Sequence, residues 1–154
     1  MLIVLAVLPL GVVVYDALGK IAWVGSTELT IEFAVRDANS GQPIEGADLT
    51  VYAETERYLN GRDRTFHLKT DSDGVARYFI PEITCCGTQS NLRLFTDTRV
   101  VYTPAWTIVT TTAPGYQQPE PFDLQPSRYK RNFQRLGPRK DKLTIPIALH
   151  KSSP

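Results

Sequence analysis

Cys85 and Cys86 are the only cysteines in the chain, and their adjacency limits what they can do. A bridge between neighbours closes no long loop and is strained, so a disulfide scaffold is excluded. Three roles stay open: burial as small hydrophobes, redox or intermolecular chemistry, and a share in a soft-metal site. Carboxylates recur on one turn, where Asp71 and Asp73, with Asp63 upstream, are hard oxygen donors of the kind calcium takes. They are too few, and no distal bidentate Glu follows them, so hairpin-turn chemistry is their expected role. His67 and His150 lie far apart and have no Cys or His run beside them to complete a zinc set. No Ser/His/acid order, Cys/His pair or glycine-rich phosphate loop can be defended. These residues lead to the expectation of no enzyme, no metal and no cofactor.

Charge and aromatic content point instead to binding. Between Arg128 and Lys142, seven basic residues face one acid, a local charge of +6, while the rest of the chain carries −5 within a net charge of +1. Arg128, Lys130, Arg131, Arg135, Arg139 and Lys140, interleaved with Tyr129 and Phe133, form a candidate surface for anionic headgroups or polyanionic sugars. The alternative is a solvated loop laid on the acidic remainder of its own domain. A net charge of +1 gives no footprint for nucleic acid, which is not expected as a partner. Tyr102, Trp106 and Tyr116 are candidate stacking platforms for a glycan, with Tyr52 and Tyr58 as further exposed rings.

The elements that must position these groups follow from periodicity. From Leu2 to Tyr15 the chain runs fourteen residues without a charge, a length that suits a signal-peptide core, and apolar residues resume after Lys20 as if to lengthen a membrane anchor. Residues 1–25 are therefore read as an apolar helix serving as signal peptide or membrane anchor. After Ser26 the period is two. Leu29, Ile31, Phe33 and Val35 alternate with polar neighbours, as do Leu49 and Val51, Phe66 and Leu68, and Ile145 and Ile147, so these ten should face one shared core. Turn clusters at Asp37–Pro43, Asn60-Gly61 and Asp71–Gly74 separate the strands. Pro81–Gln89 reads as a loop, Asn91–Phe95 and Thr107–Thr112 as further strands, and Pro146 as a mark of an edge position. The sum is an antiparallel, seven-stranded, all-β sandwich of immunoglobulin-like architecture.

Within this pattern, Val35-Arg36-Asp37, then Ser40 to Ala47, then Thr70 to Ala76, Trp106 to Val109, the Ala113-Pro114-Gly115-Tyr116 corner and the closing LTIPIAL strand occur in one order over residues 28–149. In that order they resemble the carboxypeptidase regulatory-like domains, a transthyretin-like sandwich. The resemblance implies an accessory folding, adhesion or sugar-binding unit of an exported protein, without catalytic residues of its own, here over residues 28–150. Long insertions at Pro81–Thr103 and Gln117–Asp141 depart from the family pattern and would hold any individual function. The expected function is an envelope-associated structural or interaction module, membrane-anchored or secreted. It would touch the membrane through its N-terminal segment and protein or glycan through its surface; a carbohydrate-binding module is the alternative.

Overall fold

Alternating side chains build nine strands, and the computed structural model describes them over residues 19–90, 98–124 and 132–152. In order they are β1 (Ile21–Asp37), β2 (Asp48–Ala53), β3 (Thr65–Lys69), β4 (Val75–Gln89), β5 (Thr98–Val101), β6 (Trp106–Thr112), β7 (Phe122–Asp123), β8 (Phe133–Gly137) and β9 (Lys140–Leu149). The described residues contain no α-helix. Residues 1–18, the main part of the expected apolar helix, lie outside them, but Ile21–Gly25 belong to β1, so the apolar residues after Lys20 extend a strand and not a helix.

The chain divides into two compact units, one of residues 1–26 and 84–102, the other of residues 27–83 and 103–154. The larger unit is a β-sandwich. One sheet has the order β4-β1-β9-β8 and the other β3-β2-β6-β7. All ten residues assigned to the core by alternation are buried there, joined by Ala47, Ile80, Ile108, Leu143 and Leu149. Tyr78 of β4 bridges the sheets, with its ring 5.0 Å from Phe66 and 4.9 Å from Trp106.

Two features correct the sequence reading. Among the described residues the strands number nine, not seven, and the sandwich is not wholly antiparallel. β1 and β9 pair in parallel, from Glu28 opposite Lys140 to Asp37 opposite Leu149. A parallel pair needs a long crossover, and here everything between the first and last strands serves as one. The register sets Ile31, Phe33 and Val35 beside Leu143, Ile145 and Ile147 on the core face. On the other face it brings Lys140 Nζ to 3.8 Å from Glu28 and Lys142 Nζ to 3.3 Å from Glu32. Pro146 lies past the last described pairing of β8, at Leu143, where its missing N–H costs no described ladder bond.

The Asp71–Gly74 hairpin seats against β1. Gly74 has φ +70° and its carbonyl accepts from Val35 N at 2.8 Å. Asp71 Oδ1 accepts from the backbone N–H groups of Asp73 and Val75, and Arg77 donates to Oδ2. The Val75 N–H, with Arg77 and Asp73, holds the Asp71 carboxyl below its ordinary value despite opposing burial. Its oxygens serve the turn, as the sequence reading expected.

In the smaller unit, β5 pairs antiparallel with β4, Cys85 opposite Val101 and Thr88 opposite Thr98. The strand β4 thus runs through Pro81–Gln89, where a loop was expected. Pro81 and Glu82 are both exposed, which shifts the inward set from Ala76, Tyr78 and Ile80 to Ile83 and Cys85. Gly87 is required by close approach: a Cβ there would fall 2.0 Å from Thr98 O and 2.7 Å from the Trp23 ring. The strand expected at Asn91–Phe95 lies outside the described residues.

Candidate functional site

The two thiols sit on one strand and alternate across it. Cys85 is buried and Cys86 half-buried, and both are free. Arg99 donates to Cys85 Sγ at 4.0 Å, and Cys86 Sγ lies 3.7 Å from the Tyr102 hydroxyl. Cys86 pushes the Tyr102 phenol up from its ordinary value, through their hydrogen bond first and its charge second. Cys85 therefore occupies a packing position, and Cys86 is the more accessible sulfur.

The three candidate stacking rings have different surroundings. Tyr102 is 51% exposed. Trp106 is only 2% exposed, so its role as a surface platform is corrected: the ring lies in the core, in T-shaped contact with Phe66 at 5.3 Å and with Tyr78 at 4.9 Å. Alternation carried two residues back from Ile108 would have put it inside. Tyr116 is half-buried, and its hydroxyl donates to Asp37 Oδ2 at 3.1 Å.

That contact joins two pieces of the sequence pattern, the end of β1 and the corner after β6. Asp37 is 4% exposed; its Oδ1 accepts from Ser40 N at 2.8 Å and Asn39 N at 2.9 Å, and Lys151 Nζ lies 3.9 Å from Oδ2. The Ser40 N–H, followed by Asn39 and Tyr116, lowers the carboxyl to about 2 against the opposing effect of burial. A carboxyl lowered on folding stabilises the fold above its unfolded value, and that stabilisation is lost as pH falls. The Asp37 contribution should accordingly be complete near neutrality and fade from about pH 4 to about pH 2. Urea unfolding of wild type and Asp37→Asn should converge as pH is lowered across that window. A constant gap from pH 7 to pH 2.5 would show that the charged carboxylate is not what holds the corner.

Of the basic residues, Arg128, Lys130 and Arg131 lie outside the described residues. Arg135, Arg139 and Lys140 belong to the β8–β9 hairpin and its turn, where a loop was expected. Arg135 Nε donates to Gly137 O at 3.2 Å, and Lys140 pairs with Glu28 at 3.8 Å. His67 is exposed on β3, with Nδ1 3.2 Å from Thr50 Oγ1.

One concavity in the larger unit was not foreseen. The end of β2, the approach to β6 and the exit from β7 line a half-open groove of about 230 Å³, with Glu54, Ala105 and Asp123 exposed at it. Glu54 N donates to Ala105 O at 3.1 Å, Trp106 N to Pro104 O at 3.0 Å, and Leu124 N to Trp106 O at 2.9 Å, so backbone bonds fix its walls. Two carboxylates, Glu54 and Asp123, are among its lining groups, and Asp123 Oδ1 accepts from Thr107 Oγ1 at 2.6 Å.

No family model matches the chain, and no curated protein does. Solved structures show a distant likeness. Catechol 1,2-dioxygenase of Acinetobacter radioresistens is 16% identical with TM-score 0.47, over 83% of this chain and 53% of that one. The 3-chlorocatechol 1,2-dioxygenase of Rhodococcus opacus 1CP is 10% identical with TM-score 0.49, over 83% of this chain and 61% of that one. BcpA, the major pilin subunit of Bacillus cereus, is 18% identical with TM-score 0.40, over 82% of this chain and 31% of that one. This chain thus spans about half the length of the dioxygenase from Acinetobacter. The carboxypeptidase regulatory-like assignment receives no match. The expectation of no enzyme is corrected: the solved structures similar to this chain include catechol 1,2-dioxygenases, which are enzymes, at 10–16% identity and over part of their length.

Proposed function

We propose that the chain is a structural or interaction module held at the cell envelope by its N-terminal segment. The observation that carries this reading is the uncharged run from Leu2 to Tyr15, placed directly ahead of a sandwich with a closed core of its own. Fourteen consecutive residues without a charge suit a translocation signal or a bilayer anchor. No helix among the described residues is long and apolar enough to cross a membrane. The basic residues suit the same setting: Arg135, with Arg128, Lys130 and Arg131, offers cations to anionic headgroups at about 1 kcal/mol each near such a surface. Lys140 is already engaged by Glu28.

The test is to express the full chain in a bacterial host, fractionate the cells and sequence the N-terminus of the recovered protein. The expected result is recovery with the membranes, or from the exported fraction with the N-terminus beginning past Tyr15. Recovery from the cytosol with the leader intact would overturn the reading.

A further inference from the structure

We infer that one face of the smaller unit, built around Val24, Val100 and Tyr102, lies on the lipid bilayer as a second membrane contact beside the N-terminal segment. This rests on the anchoring reading above and adds a surface to it. Strand alternation builds the face. Val100 of β5 pairs with Cys86 of β4, and Cys86 Sγ lies 3.7 Å from the hydroxyl of Tyr102, so all three share one side of the sheet. Gly87 is the next residue of β4, and a Cβ on it would meet the Trp23 ring on the opposite side. Ala22 and Val24 alternate with Trp23 along β1 and so fall on the side of Cys86. Val24 is 79% exposed, Tyr102 51% and Val100 47%. With Ile21, the smaller unit holds four of the seven large apolar side chains exposed among the described residues.

Charge and tether decide the occupant. The unit's described residues, 19–26, 84–90 and 98–102, include two basic side chains, Lys20 and Arg99, and no acidic one. Nothing among them is repelled by an anionic headgroup layer, and a tyrosine, apolar in its ring and polar at its tip, suits the headgroup level. A second copy or a soluble partner could cover an apolar face, but neither is held beside it. The uncharged run ends at Tyr15 and β1 begins at Ile21, six residues on, a stretch that spans at most about 22 Å in any conformation. With the run in the bilayer, the start of β1 stays within that length of the point where the run leaves it. The lipid surface is therefore present at high effective concentration for the exposed valines, whereas any other partner must be met by diffusion.

The experiment synthesises the full chain in a cell-free reaction without signal peptidase, in the presence of vesicles of phosphatidylcholine and phosphatidylglycerol, and floats it with them. One series of vesicles carries brominated acyl chains, which quench an indole only at short range. Tyr102→Trp in a Trp23→Phe, Trp106→Phe background sets a single indole on the face, and Val100→Trp in the same background repeats the reading beside it. Trp23→Phe alone leaves Trp106, enclosed in the core, as the reference. The indoles at positions 100 and 102 should each lose most of their emission in brominated vesicles, while Trp106 keeps its own. Adding Val24→Asp and Val100→Asp to the variant with its indole at 102 should restore that emission while flotation persists, because the leader still holds the chain. The inference is overturned if the chain floats and both indoles emit equally in brominated and plain vesicles. If they then also resist aqueous iodide, the face is covered by protein, whether a second copy or the chain's own N-terminal residues. Quenching that survives the two aspartates overturns it too, since the face would then not be what meets the lipid. A chain that fails to float overturns the anchoring reading itself, and this contact with it.

Discussion

Replacing Gly74 by alanine should destabilise the sandwich by about 3 kcal/mol, while the same change at Gly41 should cost only about 1–2 kcal/mol. Both glycines have φ near +70°, so both substitutions force a Cβ into the left-handed region. The difference between them is space. A Cβ on Gly41 would meet nothing within 4 Å, whereas one on Gly74 would fall 2.6 Å from Val35 O, 2.8 Å from Ile44 N and 2.9 Å from Pro43 Cβ. These are the atoms of a three-way junction: Val35 N donates to Gly74 O, and Ile44 N donates to Val35 O. Making room for a methyl group means separating the hairpin from β1 at the point where β1 is fully buried. Urea unfolding of the two variants side by side isolates the contact from the backbone strain. Equal losses at both positions would mean that the hairpin does not press on β1 as described.

That junction also shows how far the sequence could be read. Asp71-Ser72-Asp73-Gly74 announces a turn with positive φ through local chemistry, but nothing local says which strand the turn will press against. The ten core positions were legible for the same reason, since period two is a property of each segment alone. The parallel pairing of β1 with β9 was not, because such a pair leaves no turn between its members and no short-range signal. Pro81 ended a strand on paper because proline cannot donate to a ladder. In the structure it is exposed, and the alternation resumes one residue out of phase at Ile83. β8 carries Gln134, Arg135 and Leu136 all exposed, so it has no alternation to detect, and β7 is two residues long. Asp37 and Tyr116 each stood out as parts of turns 79 positions apart, and only the folded chain joins them. The groove has no motif at all: Glu54, Thr103, Trp106 and Asp123 come from three separate strand ends, and the unpartnered indole edge is a consequence of packing.

Trp106→Ala should cost about 3–5 kcal/mol, the other large effect in the molecule, whereas Trp106→Phe should stay within about 1 kcal/mol of wild type in ligand-free buffer. The ring is 2% exposed and touches Tyr78 and Phe66 edge-on, so its loss removes the aromatic contact that joins β6 to β4 and β3 and leaves a large void. Phenylalanine keeps a ring in that position. It gives up some buried area but also deletes the buried Nε1–H that has no partner, and the two changes oppose each other. The comparison therefore separates the packing of the ring from the cost of its unpartnered N–H. A loss below about 1 kcal/mol in Trp106→Ala would place the indole outside the core.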